Sequence, residues 1–288
     1  MINIGILAYN EENNIEKCVL SVANCLESES GKIFVIVNGS TDNTESIVRR
    51  LQEKDDRIFL KVLEVGDKSN AWNDFIHATS DPEADFYVLM DGDVWITPGS
   101  LAAMRAAFDA HPEALAVAAT PRGGRTAPEW SERVMREHGL PGNFYALRGA
   151  TVHRIRESGL RFPFGMIGDD TFLLWLLRRN LDPAAAPRKD LIRPVAAAGF
   201  HYDSLDASMS GLIAHIRRLS KYALRDVQIK LLLDRIKLEG VKAIPSRISE
   251  VYDKVTISTQ IYAPYGLRPF NVKKLFFLYT WMKLRSPG

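Results

Sequence analysis

The chain has 288 residues, of which 46% are hydrophobic and 25% are charged, and this balance is typical of a globular protein. The formal net charge of +2 lies too close to neutrality for a generally basic surface, so we expect no nucleic-acid partner. No apolar stretch reaches the ~18 residues of a membrane-spanning helix, and the first residues read as a strand without a signal peptide. We therefore expect a cytoplasmic protein.

Apolar runs alternate with amphipathic segments of helical length in the first part of the chain. The runs that we predict as strands are residues 2–8, 33–37, 58–65 and 86–90. Parallel pairing requires crossover connections of this length, so the four strands are predicted to lie parallel in one sheet. The predicted fold class is α/β, with a mostly parallel central sheet flanked by helices.

A polar loop follows each predicted strand, and the four loops contain residues 9–14, 38–44, 66–70 and 91–93. Right-handed crossovers place these loops along one edge of the sheet, where open α/β sheets bind ligands. A nucleotide lying there would meet backbone amides, side-chain amides and carboxylates. Taken singly, most of these residues would serve equally well in turns and helix caps.

The fourth strand ends in Asp91 and Asp93, and Gly92 between them is expected to allow a sharp turn. Two carboxylates at a strand end can hold a hard divalent cation and leave positions open for phosphate oxygens. An ordinary acidic turn is the alternative interpretation.

Later segments add a strand at 115–119, strand and turn material at 142–149 and 151–155, and a last strand at 195–202. Residues 121–128 are predicted to form a mobile basic loop, in which Arg122 and Arg125 either contact phosphate or an anionic acceptor or are merely solvated. Asp169 and Asp170 precede an apolar helical stretch. Asp169 suits the N-cap and Asp170 the first turn of that helix, but one of the two could be a general base facing an acceptor hydroxyl. His201 follows the last strand and is either structural or a third metal ligand.

The remainder, residues 204–288, is predicted to be a mostly helical region beside a catalytic domain at 1–203. Arg217 and Arg218 could clamp a diphosphate or form a solvated face. Residues 270–285 mix large apolar groups with basic ones. Three roles stay open for this tail: peripheral contact with an anionic membrane surface, packing on the domain, and a homodimer contact.

In combination these motifs resemble the inverting family 2 glycosyltransferases, which have the GT-A fold. The resemblance covers roughly the first 200 residues and rests on motifs that are individually weak but occur in the right order. The motifs are Ala8-Tyr9-Asn10-Glu11-Glu12, Asn38-Gly39-Ser40-Thr41-Asp42, Gly66-Asp67-Lys68-Ser69-Asn70-Ala71, Asp91-Gly92-Asp93 and Asp169-Asp170.

The resemblance implies a nucleotide-sugar donor, a bound Mn²⁺ or Mg²⁺ and an acceptor hydroxyl. By this resemblance the base and ribose would be held by Ala8, Tyr9, Asn10, Glu11, Asn38 and Asp42, and the donor would be positioned by Lys68 and Asn70. Asp91 would meet the ribose or a metal-bound water, and the metal would be ligated by Asp93 and His201. Asp170 would be the catalytic base. An acceptor that is a lipid or is lipid-linked would suit the basic tail and a peripheral position at the inner face of the membrane.

Two departures from the family pattern narrow these expectations. Val37 stands where many members carry an aspartate that pairs with uracil, so the resemblance does not favour UDP over other nucleotides. Residues 215–219 lack the tryptophan of the signature of processive members, so we expect transfer of one sugar at a time. A nucleotidyltransferase is disfavoured by the acidic loop after the first strand, and an inactive binding module by the intact Asp93 and Asp170.

Overall fold

The computed structural model of the chain describes residues 1–26, 29–124, 126–203 and 209–252, with the backbone alone described at 209–220 and 223. Its strands are β1 Ile2–Ala8, β2 Gly31–Asn38, β3 Ile58–Leu63, β4 Phe86–Asp91, β5 Val94–Ile96, β6 Ala116–Pro121, β7 Phe144–Arg148 and β8 Ile192–Tyr202. Its α-helices are α1 Ile15–Cys25, α2 Thr44–Gln52, α3 Lys68–Asp74, α4 Ser100–Ala110, α5 Ala127–Glu137, α6 Gly149–Ser158, α7 Asp169–Leu177 and α8 Met209–Glu239.

The described strands form one sheet in the order β3-β2-β1-β4-β7-β6-β8-β5. In its first half all neighbours are parallel, with Ile4 of β1 opposite Ile33 of β2 on one side and Val88 of β4 on the other. All seven residues of β1 are buried because helices cover both faces of this half. The predicted parallel α/β sheet is confirmed.

The second half of the sheet is mixed. Strand β7 runs antiparallel to both β4 and β6, β8 runs parallel to β6, and the short β5 pairs antiparallel with β8. The prediction of strand or turn at 151–155 is wrong, because these residues lie in α6. Thr151, Val152 and Ile155 are buried at helical spacing, and this packing overrides their β-branched preference for strands.

Two compact units can be distinguished in the described chain. The first comprises Met1–Phe162 and Asp169–Ser204 and contains the whole sheet. The second comprises Pro163–Gly168 and the chain after position 204, with α8 as its main element. Across the described ranges, no helix has the length and apolar character that crossing a bilayer requires.

Candidate active site

The loops that follow β1 and β2 are joined by side-chain hydrogen bonds. Asn10 adopts the left-handed region at φ 55°, which asparagine tolerates better than most residues. Its Oδ1 accepts the Thr41 N–H at 2.8 Å, and its own N–H donates to Ser40 Oγ at 3.0 Å. Below them, Asn38 Nδ2 donates to the Ala8 carbonyl at 2.8 Å and ties the two strand ends together.

Asp42 is the centre of the same loop pair. Its carboxylate accepts the Thr44 N–H at 3.0 Å, the Thr44 hydroxyl at 2.6 Å and the Glu12 N–H at 3.0 Å. Burial would raise the pKa of Asp42, but these donated hydrogen bonds outweigh it and lower the pKa below the usual 3.8. The Asp42 side chain therefore holds the loops to each other.

Tyr9 lies at the same edge and is 54% exposed, which is high for a large aromatic residue. A Cβ at Gly66 would fall 2.7 Å from the Tyr9 ring, so the ring lies directly over the backbone of the loop after β3. Gly39 has φ 71° and also approaches the Gly66 backbone. The three loops thus frame one flat, exposed aromatic surface.

A chain of charged groups connects β4, α3 and α7. Lys68, the first residue of α3, places its Nζ 2.6 Å from Asp91 Oδ1 and 3.9 Å from Asp169 Oδ2. The Asp169 side chain is only 10% exposed. Burial alone would lower the pKa of Lys68, but Asp169, Asp91 and Asp170 outweigh burial and raise the pKa well above its usual range. Lys68 is therefore a permanent cation between carboxylates.

The two acids that begin α7 differ in environment. Asp169 is buried, and burial, partly offset by Lys68, raises its pKa to about 6. Asp170 is half-buried, and its Oδ1 accepts the Thr171 N–H at 2.7 Å. Asp169 thus faces the interior and the lysine, whereas Asp170 is partly exposed and its second carboxylate oxygen lies beside Gly142.

A tight turn before β7 contacts both acidic sites, which the sequence did not indicate. The Phe144 N–H donates to the Pro141 carbonyl at 3.4 Å and closes the turn. Its central residue Asn143 accepts the Asp91 N–H at 3.1 Å through its carbonyl and donates from Nδ2 to Asp91 Oδ2 at 3.2 Å. The contact joins β4 to a turn 52 residues later in the chain, so no local pattern could reveal it.

Glu11, Asp91 and Asp93 form the acidic end of the site. Burial raises the pKa of Glu11 to about 7, with further increases from the charges of Asp93 and Asp91. Burial likewise raises the pKa of Asp91, against the influence of Lys68. Asp93 is exposed. These oxygen donors carry more negative charge than Lys68 can balance, so they fit a hard divalent cation such as Mn²⁺ or Mg²⁺.

Gly92 is required for a reason other than the predicted sharp turn. It is absent from the glycines with positive φ, whereas a Cβ on it would lie 3.1 Å from Ala8 Cβ and 3.3 Å from Glu11 Cγ. The residue is small so that the acidic turn can approach the loop after β1. The close approach brings Glu11 beside the carboxylates of β4.

His201 lies on β8 directly opposite Trp95 of β5, and the two rings stack with centroids 5.9 Å apart. Lys17 covers the Trp95 ring with its Nζ 3.0 Å from the centroid. A Cβ at Gly123 would fall 2.9 Å from His201 Nδ1, so that nitrogen faces the loop after β6. In the ranges described, no three His, Cys, Asp or Glu side chains are grouped as a complete metal site.

The remaining candidates have varied positions. Asn70 gives its backbone N–H to Asp67 at 2.6 Å, which caps the start of α3. Arg122 donates to the Ala196 carbonyl of β8, so its guanidinium supports that strand. Three features predicted from the sequence lie outside the described residues: the side chains of Arg217 and Arg218, the whole of Arg125, and the tail at 270–285.

Comparison of the sequence with known proteins identifies a family and related proteins. The model of the family described as Glycosyl transferase family 2 matches residues 3–182. A poly-β-1,6-N-acetyl-D-glucosamine synthase of Staphylococcus aureus (strain MSSA476) is 31% identical over 117 residues, which cover 41% of this chain. That segment spans 27% of the length of the synthase.

Solved structures share the fold. A mannosyltransferase from Pyrobaculum calidifontis in complex with GDP-Man and Mn²⁺ superposes with a TM-score of 0.60 at 14% identity, covering 98% of this chain and 85% of that one. TarS of S. aureus in complex with UDP-GlcNAc gives 0.55 at 13% identity, covering 98% and 80%. Glucosyl-3-phosphoglycerate synthase from Mycobacterium tuberculosis, with Mn²⁺ and UDP-Glc, gives 0.54 at 19% identity, covering 85% and 80%.

Proposed function

Because the chain belongs to glycosyl transferase family 2 and is a glycosyltransferase with the GT-A fold, we propose that it transfers one sugar at a time from a nucleotide-sugar donor to an acceptor hydroxyl, with inversion of the anomeric carbon. The observation that carries this proposal is the placement of Asp91, Lys68 and Asp169 within salt-bridge distances at the carboxyl edge of the parallel sheet. This placement brings the acidic turn after β4 and the acid that begins α7 to one site.

The donor's nucleotide would lie over the loops after β1, β2 and β3. The exposed ring of Tyr9 offers a stacking surface for the base. The side chains of Asn10, Asn38 and Asp42 form hydrogen bonds between the loops, so we assign them the shaping of this pocket. Contacts with base and ribose then come from backbone groups of Ala8 and its neighbours, and Asn70 stays a candidate donor contact.

The diphosphate end would carry Mn²⁺ or Mg²⁺, held by Asp93 with Asp91 beside it and His201 as a further candidate ligand. When bound, the cation stabilises the negative charge that grows on the departing nucleoside diphosphate. Glu11 keeps this end of the site acidic. Lys68 stays protonated there and holds Asp91 in place.

Asp170 is the proposed base. It would take the proton from the acceptor hydroxyl as that oxygen attacks the anomeric carbon from the face opposite the diphosphate. Asp169 is buried and engaged with Lys68, which leaves Asp170 as the acid that can face the acceptor. A carboxylate within hydrogen-bond reach of the hydroxyl is sufficient for this role.

The experiment that tests the proposal is a panel of GDP-Man, UDP-GlcNAc and UDP-Glc with Mn²⁺ and with water as the acceptor, in which hydrolysis to free sugar and nucleoside diphosphate is measured with and without chelator. Wild-type protein is expected to release it from one donor in preference to the others. D170N should bind the same donor with unchanged affinity by calorimetry and release roughly 100-fold less. Wild-type rates in D170N would place the base elsewhere, and no release from any sugar nucleotide would defeat the proposal.

A lipid or lipid-linked acceptor at the inner face of the membrane is a second part of the proposal. It is supported by the composition of residues 270–285, which mix aromatic groups with lysines and an arginine. Deleting residues 270–288 should lower binding to vesicles containing anionic phospholipid while donor hydrolysis persists. Equal vesicle binding by the shortened chain would exclude a membrane role for the tail.

A further inference from the structure

We propose that the turn closed by Pro141 and Phe144 is a spacer that fixes the distance between the acidic end of β4 and the base on α7. Its two central residues each contact one acidic site: Asn143 binds Asp91, and Gly142 packs against Asp170. The inference rests on the proposed role of Asp170 as the base.

The contact between Gly142 and Asp170 is unusually close. A Cβ built on Gly142 would lie 2.9 Å from Asp170 Cβ and 3.1 Å from both Cγ and Oδ2. Real Cβ atoms do not approach the inner part of another side chain so closely, so any larger residue at 142 must displace the carboxylate. Gly142 is not among the residues with positive φ, so alanine would fit the backbone and the cost would be purely steric.

Asn143 and Asp91 are joined by two hydrogen bonds, one between their backbones and one between their side chains. The Asn143 carbonyl accepts the Asp91 N–H at 3.1 Å, and the Asn143 amide donates to Asp91 Oδ2 at 3.2 Å. Since Asp91 Oδ1 is bound by Lys68 at 2.6 Å, both of its oxygens are fixed. The carboxylate beside the proposed cation is thus oriented by the same turn that limits the position of the base.

Gly142 and Asn143 are therefore positioning residues, because each acts through a carboxylate and neither needs to touch the substrate. A displacement of about 1 Å in a reacting group can cost roughly 100-fold in rate, so a rigid spacer between two sites has a measurable effect. The backbone hydrogen bond that closes the turn and the antiparallel pairing of Met90 with Phe144 directly after it provide that rigidity.

The test compares G142A with G139A, a matched control in the same connection. A Cβ at Gly139 would lie 3.6 Å from Val134 Cα, an ordinary contact. With the preferred donor of the sugar-nucleotide panel, G142A should lower nucleoside diphosphate release roughly 10- to 100-fold, with donor affinity by calorimetry unchanged. G139A should leave both quantities at wild-type values. Unchanged release in G142A would overturn the proposal.

A double-mutant cycle separates this inference from the function on which it rests. If Gly142 acts through the base, G142A/D170N should release nucleoside diphosphate as slowly as D170N alone. Equal fold-losses from G142A in both backgrounds would overturn the spacer and leave Asp170 as the base. Wild-type release in D170N would instead overturn the base assignment itself, and the spacer with it.

If G142A fails to fold, N143A tests the other half of the turn. It keeps the glycine and the backbone bonds and removes only the amide that orients Asp91. It should weaken Mn²⁺ binding by calorimetry several-fold at an unchanged melting temperature. Wild-type Mn²⁺ affinity in N143A would overturn the proposal.

Discussion

The two ends of the candidate site are stabilised by different interactions. At the proposed nucleotide end, side-chain hydrogen bonds of Asn10, Asn38 and Asp42 join the loops after β1 and β2 without any ligand. At the acidic end, Lys68 forms ion pairs with Asp91 and Asp169, and the pKa values of Glu11 and Asp169 are raised, chiefly by burial. The first end is complete in itself, whereas the second carries excess negative charge that a cation would relieve.

Stability and function are therefore divided between the two ends of this edge of the sheet. Groups that pair among themselves stabilise the fold, and replacing them should cost stability. Carboxylates held close together against repulsion reduce stability in the absence of a cation, and replacing them should cost little or even stabilise. Each prediction below measures the free energy of unfolding in chelator, so that the intrinsic contribution of each residue is compared.

Lys68→Met should have the largest effect. It removes the cation between Asp91 and Asp169 and leaves two poorly solvated carboxylates unpaired. Breaking a buried pair costs about 3–5 kcal/mol, and the partial exposure of Lys68 reduces the expected loss to about 2 kcal/mol at pH 8. Since the pKa of Asp169 is already about 6, it would take up a proton in acid, and the loss should shrink as the pH falls below that value.

The matched control is K32M, which removes an ion pair of similar exposure outside the site, between Lys32 and Asp81 at 2.9 Å. Surface pairs contribute about 0–1 kcal/mol, and this control should show no recovery in acid. Equal, pH-independent losses in the two variants, measured by urea unfolding, would show that Lys68 is an ordinary surface lysine.

The contrast between the two ends was only partly predictable from sequence. The parallel strands and their polar loops follow from continuous apolar runs, which a sheet covered on both faces requires. Two contacts could not be predicted because their partners lie far apart in the chain. Asp42 accepts the N–H of Glu12, 30 residues away, and Lys68 lies 101 residues from Asp169. Strand β5 has three residues, too few to show a period, and its pairing with β8 was missed for that reason.

Asp42→Ala should have the second largest effect. It removes the hydrogen bond from the Glu12 N–H, which joins the two loops, and two hydrogen bonds from Thr44 within the loop after β2. We expect a loss of about 1–2 kcal/mol at pH 7. Because the pKa of Asp42 is lowered in the folded protein, its contribution is present above the unfolded pKa and is lost as the pH falls through the folded pKa, below 3.8. Thermal unfolding at pH 7 and pH 3 measures both.

The control for this variant is D182A. Asp182 accepts the Ala184 N–H at 2.9 Å within a local exposed turn and joins no separate loops. Its replacement should cost less than about 0.5 kcal/mol. A loss in D42A no greater than that of D182A would contradict the interpretation that Asp42 ties the loops.

Glu11→Gln should have a smaller effect of opposite sign. Its folded pKa of about 7 lies above the usual 4.5, so in the wild type the unfolded state loses this proton first and stability falls as the pH rises from 4.5 to about 7. E11Q lacks this titration. The full change in pKa would correspond to about 3 kcal/mol, and the partial exposure of Glu11 reduces the expected gain in stability of E11Q over the wild type to about 1 kcal/mol at pH 8, with no difference at pH 4. E16Q, which replaces an exposed glutamate of α1, is the matched control and should change the free energy of unfolding by less than about 0.5 kcal/mol. If E11Q were less stable than the wild type at pH 8, Glu11 would instead contribute to the hydrogen bonds that join the loops after β1 and β2.

Asp93→Asn should have the smallest effect on the metal-free protein. Asp93 is exposed, so its replacement should change the free energy of unfolding in chelator by less than about 0.5 kcal/mol. In the presence of nucleoside diphosphate, Mn²⁺ at 100 times its dissociation constant should raise the free energy of unfolding of the wild type by about 2.7 kcal/mol. The increase for D93N should be far smaller. D56N, which replaces an exposed aspartate in the connection between α2 and β3, should respond to Mn²⁺ as the wild type does.

The acidic end is a cation site only if stability depends on Asp93 when Mn²⁺ is present and is independent of it when Mn²⁺ is removed. Equal Mn²⁺ stabilisation of D93N and wild type would locate the cation elsewhere and remove the distinction between the two ends.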